Sequence, residues 1–259
     1  MIESQAFWRP YSGRAALARK FLPSIDRTLD LGNDLRLRAN LRTHLGLFRQ
    51  RTREREIRTA RAIAGASPGP VIYDVGANIG LYSVIFAADP GRAVVSFEPS
   101  HLVLPYLRAN IELNRLVNVH IEPIALSESA GRVPFTLDRV TTCTSHVSSR
   151  GEPGVEVACS DLDSLVEGGR WPAPDLIKLD VEGHDEPILR GMTRLLARRR
   201  PYVCLEGGLR SASGEIPSLR LLREAGYVLC DLGRRHTLEP DTGEYVVLAV
   251  PRHDAAIPA

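Results

Sequence analysis

The sequence has few cysteines, few aromatic residues and no long apolar run. Its four cysteines are scattered along 259 residues, without a C-x-x-C pair or a histidine at zinc-ligand spacing, so neither a structural zinc nor a disulfide framework is predicted. Apolar runs such as Val246–Val250 are far shorter than the roughly 20 residues of a membrane-spanning helix. The first ten residues lack the basic and apolar segments of a signal peptide. We therefore expect a cytoplasmic protein that does not associate with membranes.

Lysine is also scarce, because Lys20 and Lys178 are the only two and arginine supplies the remaining basic residues. Residues 1–61 contain 14 basic and 6 acidic residues, whereas acidic residues are in excess in the remainder. Such a basic segment could favour an anionic substrate, a nucleic acid or a membrane surface, but we interpret it as an arginine-rich, solvated helix. The overall composition, 44% hydrophobic and 25% charged, is that of a globular protein and excludes disorder, collagen and coiled coil.

The chain divides into two predicted parts. No regular element is predicted before Leu35, from which strict alternation up to Leu41 predicts a half-buried strand. Helical periodicity follows from Thr52 to Ala64, and the segment Ser67–Pro70 breaks it. We therefore predict residues 1–66 as a basic N-terminal extension with a strand and a helix, and residues 67–259 as the main domain.

From residue 71 onward, apolar strands alternate with helices. The predicted strands are Val71–Tyr73, Ala93–Phe97, Val119–Ile124, Asp175–Leu179 and Tyr202–Leu205, and the predicted helices are Leu81–Ala88, Ser100–Asn114 and Pro187–Arg199. Wholly apolar strands between helices indicate a parallel sheet covered on both faces, which is the α/β class.

Two further segments depart from this alternation. Tyr227–Cys230 and Tyr245–Val250, joined by a polar loop, predict an antiparallel pair at the end of the sheet. Residues 131–160 contain few helix formers and are predicted as short strands or a loop inserted into the sheet. Within them, the polar segment Thr141–His146 is either a gate for a substrate or a solvated loop.

A glycine-containing turn carries the cofactor signal. The run Asp74–Gly80 follows a strand and begins a helix, where glycines permit a tight turn and close approach of a ligand. Glu98 ends the next strand, where a carboxylate can accept hydrogen bonds from ribose hydroxyls. The G-x-x-x-G spacing, with Asn78 inside it, differs from the nicotinamide fingerprint. The carboxylate of Asp74 would repel a pyrophosphate but suits a sulfonium or an ammonium group, which indicates S-adenosylmethionine (SAM); alternatively, Asp74 merely caps the turn.

The end of the fourth strand carries the candidate chemistry, in the run Lys178–His184. Asp180 is the predicted active-site carboxylate, and His184 is the natural general base because its ordinary pKa is near ~6.5. Lys178 could contact the substrate or pair with a carboxylate as scaffold, and Glu182 could act in catalysis or cap the next helix. We predict no metal site, because the spacing of the carboxylates does not demand one.

Four segments together resemble one known family. They are V-I-Y-D-V-G-A-N-I-G-L-Y-S at 71–83, F-E-P-S at 97–100, the stretch Asn110–Asn118, and I-K-L-D-V-E-G-H-D-E-P-I-L-R-G at 177–191. In this order they are similar to the FkbM family of SAM-dependent methyltransferases. The resemblance implies the class I methyltransferase fold, a Rossmann-like seven-stranded mixed sheet of order 3-2-1-4-5-7-6. It also implies methyl transfer, most often to a hydroxyl oxygen of a small molecule or sugar.

The resemblance also implies positions for the cofactor. The glycine-containing turn would line the methionine side of SAM, Glu98 the ribose, and the turn at Ala125–Ser127 the adenine. The residues expected to bind SAM are Asp74, Gly76, Ala77, Asn78, Gly80, Glu98, Pro99, Ala125, Leu126 and Asp180.

Four other functions stay open. A nicotinamide oxidoreductase lacks its middle glycine and a Tyr-x-x-x-Lys pair here, and a nucleic-acid methyltransferase lacks an Asn/Asp-Pro-Pro-aromatic run after the fourth strand. N- or carboxyl-methylation of a small molecule and a non-catalytic partner protein with the same fold are the remaining two. We expect a small-molecule acceptor as the partner, do not expect nucleic acid, and leave a homo-oligomer open.

Overall fold

The computed structural model describes residues 22–138, 145–148, 154–206, 216–232 and 246–252. Within them the chain forms 13 strands and 8 helices. The strands are β1 (Asp26–Gly32), β2 (Leu35–Asn40), β3 (Val71–Val75), β4 (Ala93–Phe97), β5 (Val119–Glu122), β6 (Ala125–Leu126), β7 (Gly131–Thr136), β8 (His146–Val147), β9 (Val155–Ser160), β10 (Leu176–Leu179), β11 (Tyr202–Glu206), β12 (Tyr227–Asp231) and β13 (Val246–Pro251). The helices are α1 (Leu45–Phe48), α2 (Gln50–Ala66), α3 (Leu81–Phe86), α4 (Leu104–Leu113), α5 (Leu162–Glu167), α6 (Asp185–Arg190), α7 (Thr193–Arg198) and α8 (Pro217–Glu224).

Seven strands form the main sheet, in the order β12-β13-β11-β10-β3-β4-β5. The five strands from β11 to β5 are parallel to one another, and β13 is antiparallel to both β11 and β12. Counted in chain order within this sheet, the strands run 3-2-1-4-5-7-6. The seven-stranded mixed sheet and the antiparallel C-terminal pair predicted from the sequence are confirmed.

The sheet separates two apolar layers, because successive side chains of a strand point to opposite faces. Ile72 of β3 lies in the first layer, whereas its neighbour Tyr73 lies in the second. Leu37 of β2 and Ile57 of α2 are buried in the first layer, so the described N-terminal elements share a core with the sheet. No helix in the described ranges is both long enough and apolar enough to cross a membrane.

The N-terminal hairpin differs from the sequence prediction, which placed no element before Leu35. β1 pairs with β2 in antiparallel register, with Gly32 opposite Leu35. Asn33 and Asp34 between them both adopt positive φ, 54° and 62°, which is the two-residue turn that fits the twist of a hairpin. The tight turn allows β1 to pair with β2, although the hydrophobic pattern of the sequence does not predict β1.

Asn110 of α4 and Asn114, the residue directly after this helix, fasten the hairpin to the main domain. The side chain of Asn110 accepts from the Arg38 N–H at 2.6 Å and donates to the Arg38 carbonyl at 3.0 Å. Asn114, one helical turn later, makes the same pair of bonds with the backbone of Arg36. Their amides thus satisfy the free edge of β2 as a neighbouring strand would.

Two other segments bear on the sequence predictions. Residues 131–160 contain short strands, as expected, in a second sheet of order β6-β9-β7-β8. The helix predicted over Pro187–Arg199 is wrong as one element, because α6 and α7 are separated at Gly191 and Met192. Glycine disfavours a continuous helix, and it is required here because a Cβ atom at Gly191 would overlap the carbonyl oxygen of Ser127.

Candidate active site at the carboxyl edge of the sheet

A cleft opens where β3, β4 and β10 end, beside β6. The predicted site residues that line it are Gly76, Asn78, Glu98, Pro99, Ala125, Leu126, Asp180, Glu182 and His184. The predicted residues absent from the described lining are Asp74, Ala77, Gly80 and Lys178. The sequence therefore located the cleft, and the structure separates the residues on its surface from those beneath it.

The turn after β3 depends on its first glycine. Gly76 has φ 75°, and a Cβ atom at this position would overlap the backbone carbonyl oxygen of Asp180. The N–H groups of Gly76 and Ala77 both donate to the carbonyl of Phe97, at 3.0 and 3.1 Å. The turn is thus packed between the ends of β4 and β10, which brings its backbone to the floor of the cleft.

The second glycine has a packing role. Gly80 has φ 89° and precedes α3, and a Cβ atom there would lie 2.6 Å from Leu107 Cδ1. Gly80 therefore allows α3 and α4 to pack closely, and its place in the loop is structural.

Asn78 presents an unsatisfied acceptor to the cleft. It has φ 50°, a left-handed conformation that asparagine tolerates better than most residues, and its N–H donates to Glu98 Oε2 at 2.8 Å. Its side-chain oxygen is buried, and no described residue donates a hydrogen bond to it. Since buried polar atoms in proteins are almost always paired, this atom fits an N–H or O–H donor of a bound ligand.

Glu98 is nearly buried at the end of β4, with 6% of its surface exposed. One carboxylate oxygen accepts from Asn78 N–H and the other from Ser100 N–H, each at 2.8 Å. Burial raises the pKa of this carboxyl to about 7, against the opposing effect of the two backbone donors. Each oxygen keeps a second lone pair, so the carboxylate can still accept from two ligand hydroxyls. Together with Asn78, Glu98 fits the ribose and ammonium groups of SAM.

Asp74 and Lys178 form an ion pair beneath the cleft, and Asp74 is not among the described lining residues, so its contact with the cofactor stays a prediction. The parallel pairing of β3 and β10 places the two residues directly opposite each other, and their charged groups lie 3.1 Å apart with almost no exposed surface. Ser83 Oγ donates to the second oxygen of Asp74 at 2.6 Å. The buried ammonium neutralises the buried carboxylate, so neither is left as an isolated charge.

Lys178 also reaches the two loops that form the floor of the cleft. Its Nζ donates to the Gly76 carbonyl at 3.1 Å and lies 3.5 Å from Asp180 Oδ2 and 4.7 Å from the centre of the Tyr82 ring. Of the two roles considered from the sequence, the structure supports scaffold pairing for Lys178.

Three of the predicted catalytic side chains lie together after β10. Asp180 has 39% of its side chain exposed to the cleft, and Glu182 follows in a left-handed conformation with φ 49°. Although the residue as a whole is exposed, burial of the Glu182 carboxyl raises its pKa to about 7, and the charge of Asp180 adds to the effect. The positive φ of Glu182 is a backbone strain of the kind that is frequent at functional sites.

His184 lies directly before α6 and faces the same cleft. Its Nε2 lies 3.1 Å from Ser127 Oγ. Burial lowers the pKa of the imidazole below its ordinary value, so the ring is neutral at neutral pH. A neutral imidazole in a cleft can accept a proton.

Sequence reasoning missed two groups at this end of the cleft. Asp185 begins α6, where burial and the charge of Asp180 raise its pKa to about 7, and none of the described residues donates a hydrogen bond to its Oδ1. His146 of β8 lines the cleft, whereas the sequence indicated no role for this side chain itself and predicted its segment as either a substrate gate or a solvated loop. Residues 141–144 of that loop lie outside the described residues. In the described part of the chain, no three His, Cys, Asp or Glu side chains converge as a metal site requires.

The sequence of this chain is similar to those of known methyltransferases. Residues 74–229 match the model of the methyltransferase FkbM domain. The hexuronic acid methyltransferase AglP of Haloferax volcanii is 32% identical over 132 residues, which cover 51% of this chain and 53% of that protein. The 31-O-demethyl-FK506 methyltransferase FkbM of Streptomyces tacrolimicus is 27% identical over 197 residues, which cover 62% of this chain and 74% of that protein.

Among solved structures, a SAM-dependent methyltransferase from Agrobacterium tumefaciens shares the fold. It superimposes with a TM-score of 0.50 at 12% identity, over 90% of this chain and 72% of the other. The match to the hexuronic acid methyltransferase spans only about half the length of that protein. The domain match covers more than half of this chain, from Asp74 at the end of β3 to Leu229 in β12. The chain therefore belongs to the FkbM family of methyltransferase domains.

Proposed function

We propose that this protein transfers the methyl group of SAM to a hydroxyl oxygen of a small molecule or sugar. The observation that carries the proposal is the single cleft that joins Asn78 and Glu98 to Asp180 and His184. One end can hold a nucleoside with hydroxyl and ammonium groups, and the other can accept a proton. The names of the two relatives, one acting on a hexuronic acid and one on a 31-O-demethyl compound, support a methyl acceptor that contains oxygen.

The residues that would hold SAM are those on the surface of the cleft. Glu98 would accept from the ribose hydroxyls, and the amide oxygen of Asn78 would accept from the ammonium group. Leu126 and Ile124 supply apolar lining next to Glu98 and suit the adenine ring. When bound, SAM supplies an electrophilic methyl group on a positively charged sulfur.

The proton of the acceptor hydroxyl would pass to His184. Its imidazole is neutral near pH 7, because burial lowers its pKa. Asp180, fixed by Lys178, would orient the acceptor, and Glu182 is the alternative base because its raised pKa lets it exchange protons near neutrality. General-base assistance of this kind is worth ~10²–10⁴-fold in rate.

We further propose residues 67–259 as the methyltransferase domain and residues 1–66 as an extension that supports it. One observation supports the boundary, and a second supports the role of the extension. α2 ends at Ala66, before β3 begins at Val71, and Tyr82 Oη of α3 donates to Glu56 Oε2 of α2 at 2.9 Å. The extension thus packs against the helix that follows the glycine-containing turn.

The test is methyl transfer from SAM labelled in the methyl group to a panel of neutral sugars, hexuronic acid glycosides and secondary alcohols. We expect a labelled product that survives mild alkali, as a methyl ether does and a methyl ester does not. His184→Ala and Asp180→Asn should both retain SAM binding, and at least one should lower the single-turnover rate by ~10²–10⁴-fold.

The matched control is His120→Ala, since His120 lies on β5, packs against Trp171 and is not among the lining residues. This variant should keep the wild-type rate. Wild-type rates in both cleft variants would contradict the assignment of the base, and an alkali-labile product would contradict hydroxyl methylation.

A further inference from the structure

The contact between Ser127 and His184 has a consequence for the atom that takes the proton. We propose that Ser127 is a positioning residue: its Oγ accepts a hydrogen bond from Nε2–H of His184 and thereby leaves Nδ1 as the basic nitrogen. This inference rests on the proposed methyl transfer and adds a residue and a tautomer to it.

The direction of this hydrogen bond is tied to the tautomer of His184. Ser127 Oγ and His184 Nε2 lie 3.1 Å apart, and within the described residues this is the hydrogen bond that the ring makes. A neutral imidazole carries its proton on one nitrogen only, so the nitrogen without it is the base. If Nε2 donates to Ser127, the free lone pair lies on Nδ1. If Ser127 donates instead, Nδ1 carries the proton and cannot accept another.

The backbone of Ser127 is held firmly beside the ring of His184. Its N–H donates to the Ser160 carbonyl at 2.9 Å, at the end of β9. On the other side Gly191 lies so close to the Ser127 carbonyl that no Cβ atom fits between them. The backbone of Ser127 is thus fixed between β9 and the turn that joins α6 to α7.

His184 is held from its own side of the contact. Its N–H donates to the Val181 carbonyl at 3.2 Å, and its carbonyl accepts from Ile188 N–H at 3.5 Å. The hydroxyl and the ring therefore meet between two fixed backbones, and rotation of the ring would break the contact.

The proposed role of His184 as the base selects between the two arrangements, because only a proton on Nε2 leaves the other ring nitrogen free to accept one. The titratable groups that share the cleft with His184 are Glu98, His146, Asp180 and Glu182, and Asp185 and Glu186 follow it on α6. Burial lowers the pKa of His184, so these carboxylates do not convert it to an imidazolium at neutral pH.

The chemical step balances with this assignment. The hydroxyl proton passes to Nδ1, and the acceptor oxygen forms a bond to the methyl carbon. The electron pair of the broken carbon–sulfur bond stays on sulfur, and the imidazolium then returns its proton to solvent. Ser127 keeps its own proton throughout, since its oxygen acts only as an acceptor from Nε2–H.

The test measures the tautomer directly, in the full chain and without any substrate. Long-range ¹H–¹⁵N NMR spectra of ¹⁵N-histidine-labelled protein at pH 8 distinguish the two tautomers, and His184→Gln identifies the signals of His184. We expect Nε2–H in the wild type, a mixture of tautomers in Ser127→Ala, and Nε2–H again in Ser127→Thr. Ser129→Ala, an exposed serine two residues away, should leave the spectrum unchanged.

A predominant Nδ1–H tautomer in the wild type, or an unchanged tautomer in Ser127→Ala, would overturn the proposal. Because SAM and the acceptor are absent, these outcomes do not depend on whether the protein is a methyltransferase.

Single-turnover methyl transfer provides the second measurement. Ser127→Ala should slow the step by roughly tenfold or more, and by no more than the ~10²–10⁴-fold that loss of a general base costs. Ser127→Thr should restore most of the rate. A loss that Thr does not restore would show a merely structural role and would also overturn the proposal.

Discussion

Gly76→Ala should damage both the fold and the cofactor cleft, and its effect can be divided into two causes. The first is conformational, because φ at this position is 75°, where a side chain with a Cβ costs about 1–2 kcal/mol. The second is steric, because the new Cβ would overlap the backbone oxygen of Asp180. Overpacking of this kind typically costs about 1–3 kcal/mol. We therefore expect the free energy of unfolding to fall by about 2–5 kcal/mol.

Two other glycines separate these causes. Gly169 has φ 70° but no atom within 4 Å of an added Cβ, so Gly169→Ala should show the conformational cost alone, about 1–2 kcal/mol. Gly65 lies in α2 with open space around it and no positive φ. Gly65→Ala should stabilise the protein by about 0.5–1 kcal/mol, since alanine is the better helix former.

The assay is urea unfolding of the three variants and the wild type, with SAM titration of the folded proteins. The steric cost is the difference between the effects of Gly76→Ala and Gly169→Ala. SAM affinity should fall in Gly76→Ala alone, because Asp180 and the turn must move apart. Equal losses of stability in the two variants, or unchanged SAM affinity in Gly76→Ala, would refute this reasoning.

Two further predictions concern buried charges. Lys178→Met should lower the free energy of unfolding by about 3–5 kcal/mol, because it leaves the Asp74 carboxylate buried without its partner, and adding Asp74→Asn should recover most of the loss in the same urea assay. Asp185 has a pKa of about 7 in the folded state. Between about pH 4 and pH 7 the native protein therefore retains a proton that the unfolded chain has released. The free energy of unfolding consequently falls as the pH rises through this range. Asp185→Asn should therefore be no more stable than the wild type at pH 4 and more stable by on the order of 4 kcal/mol at pH 7.5; a gain that is the same at both pH values would contradict the assignment.

The main sheet and the outline of the cleft were accessible from the sequence because their signals are local. Apolar, β-branched runs marked the strands, and Gly76 and Glu98 each follow directly from the end of such a run. Since the carboxyl ends of parallel strands lie at one edge of the sheet, the residues after them had to meet.

What the sequence could not provide was the orientation and register of these side chains. Whether Asp74 faces the cleft depends on its pairing opposite Lys178, 104 positions later, and pairing register leaves no mark in either strand. The hydrogen bond between Ser127 and His184 likewise joins residues 57 apart. Glycine at 191 is a local signal for a break because it is a poor helix former, but the close approach of Ser127 that requires a glycine there cannot be read from the sequence.

The N-terminal strand was missed for a different reason. Its seven residues show no clean alternation, since β1 is buried chiefly at Leu31. The turn at Asn33 and Asp34, rather than a hydrophobic pattern, determines that it pairs with β2.

The most direct test of the whole account is calorimetric titration of the protein with SAM and, as a control, with NAD. We predict that SAM binds and NAD does not, and that Glu98→Ala weakens SAM binding by about 1–3 kcal/mol. Glu122→Ala is the matched control, because Glu122 is an equally buried acid at the end of the adjacent strand, paired with Arg170 and outside the cleft lining. It should leave the SAM affinity unchanged. A folded wild-type protein that does not bind SAM, or a folded Glu98→Ala variant with undiminished affinity, would contradict the account.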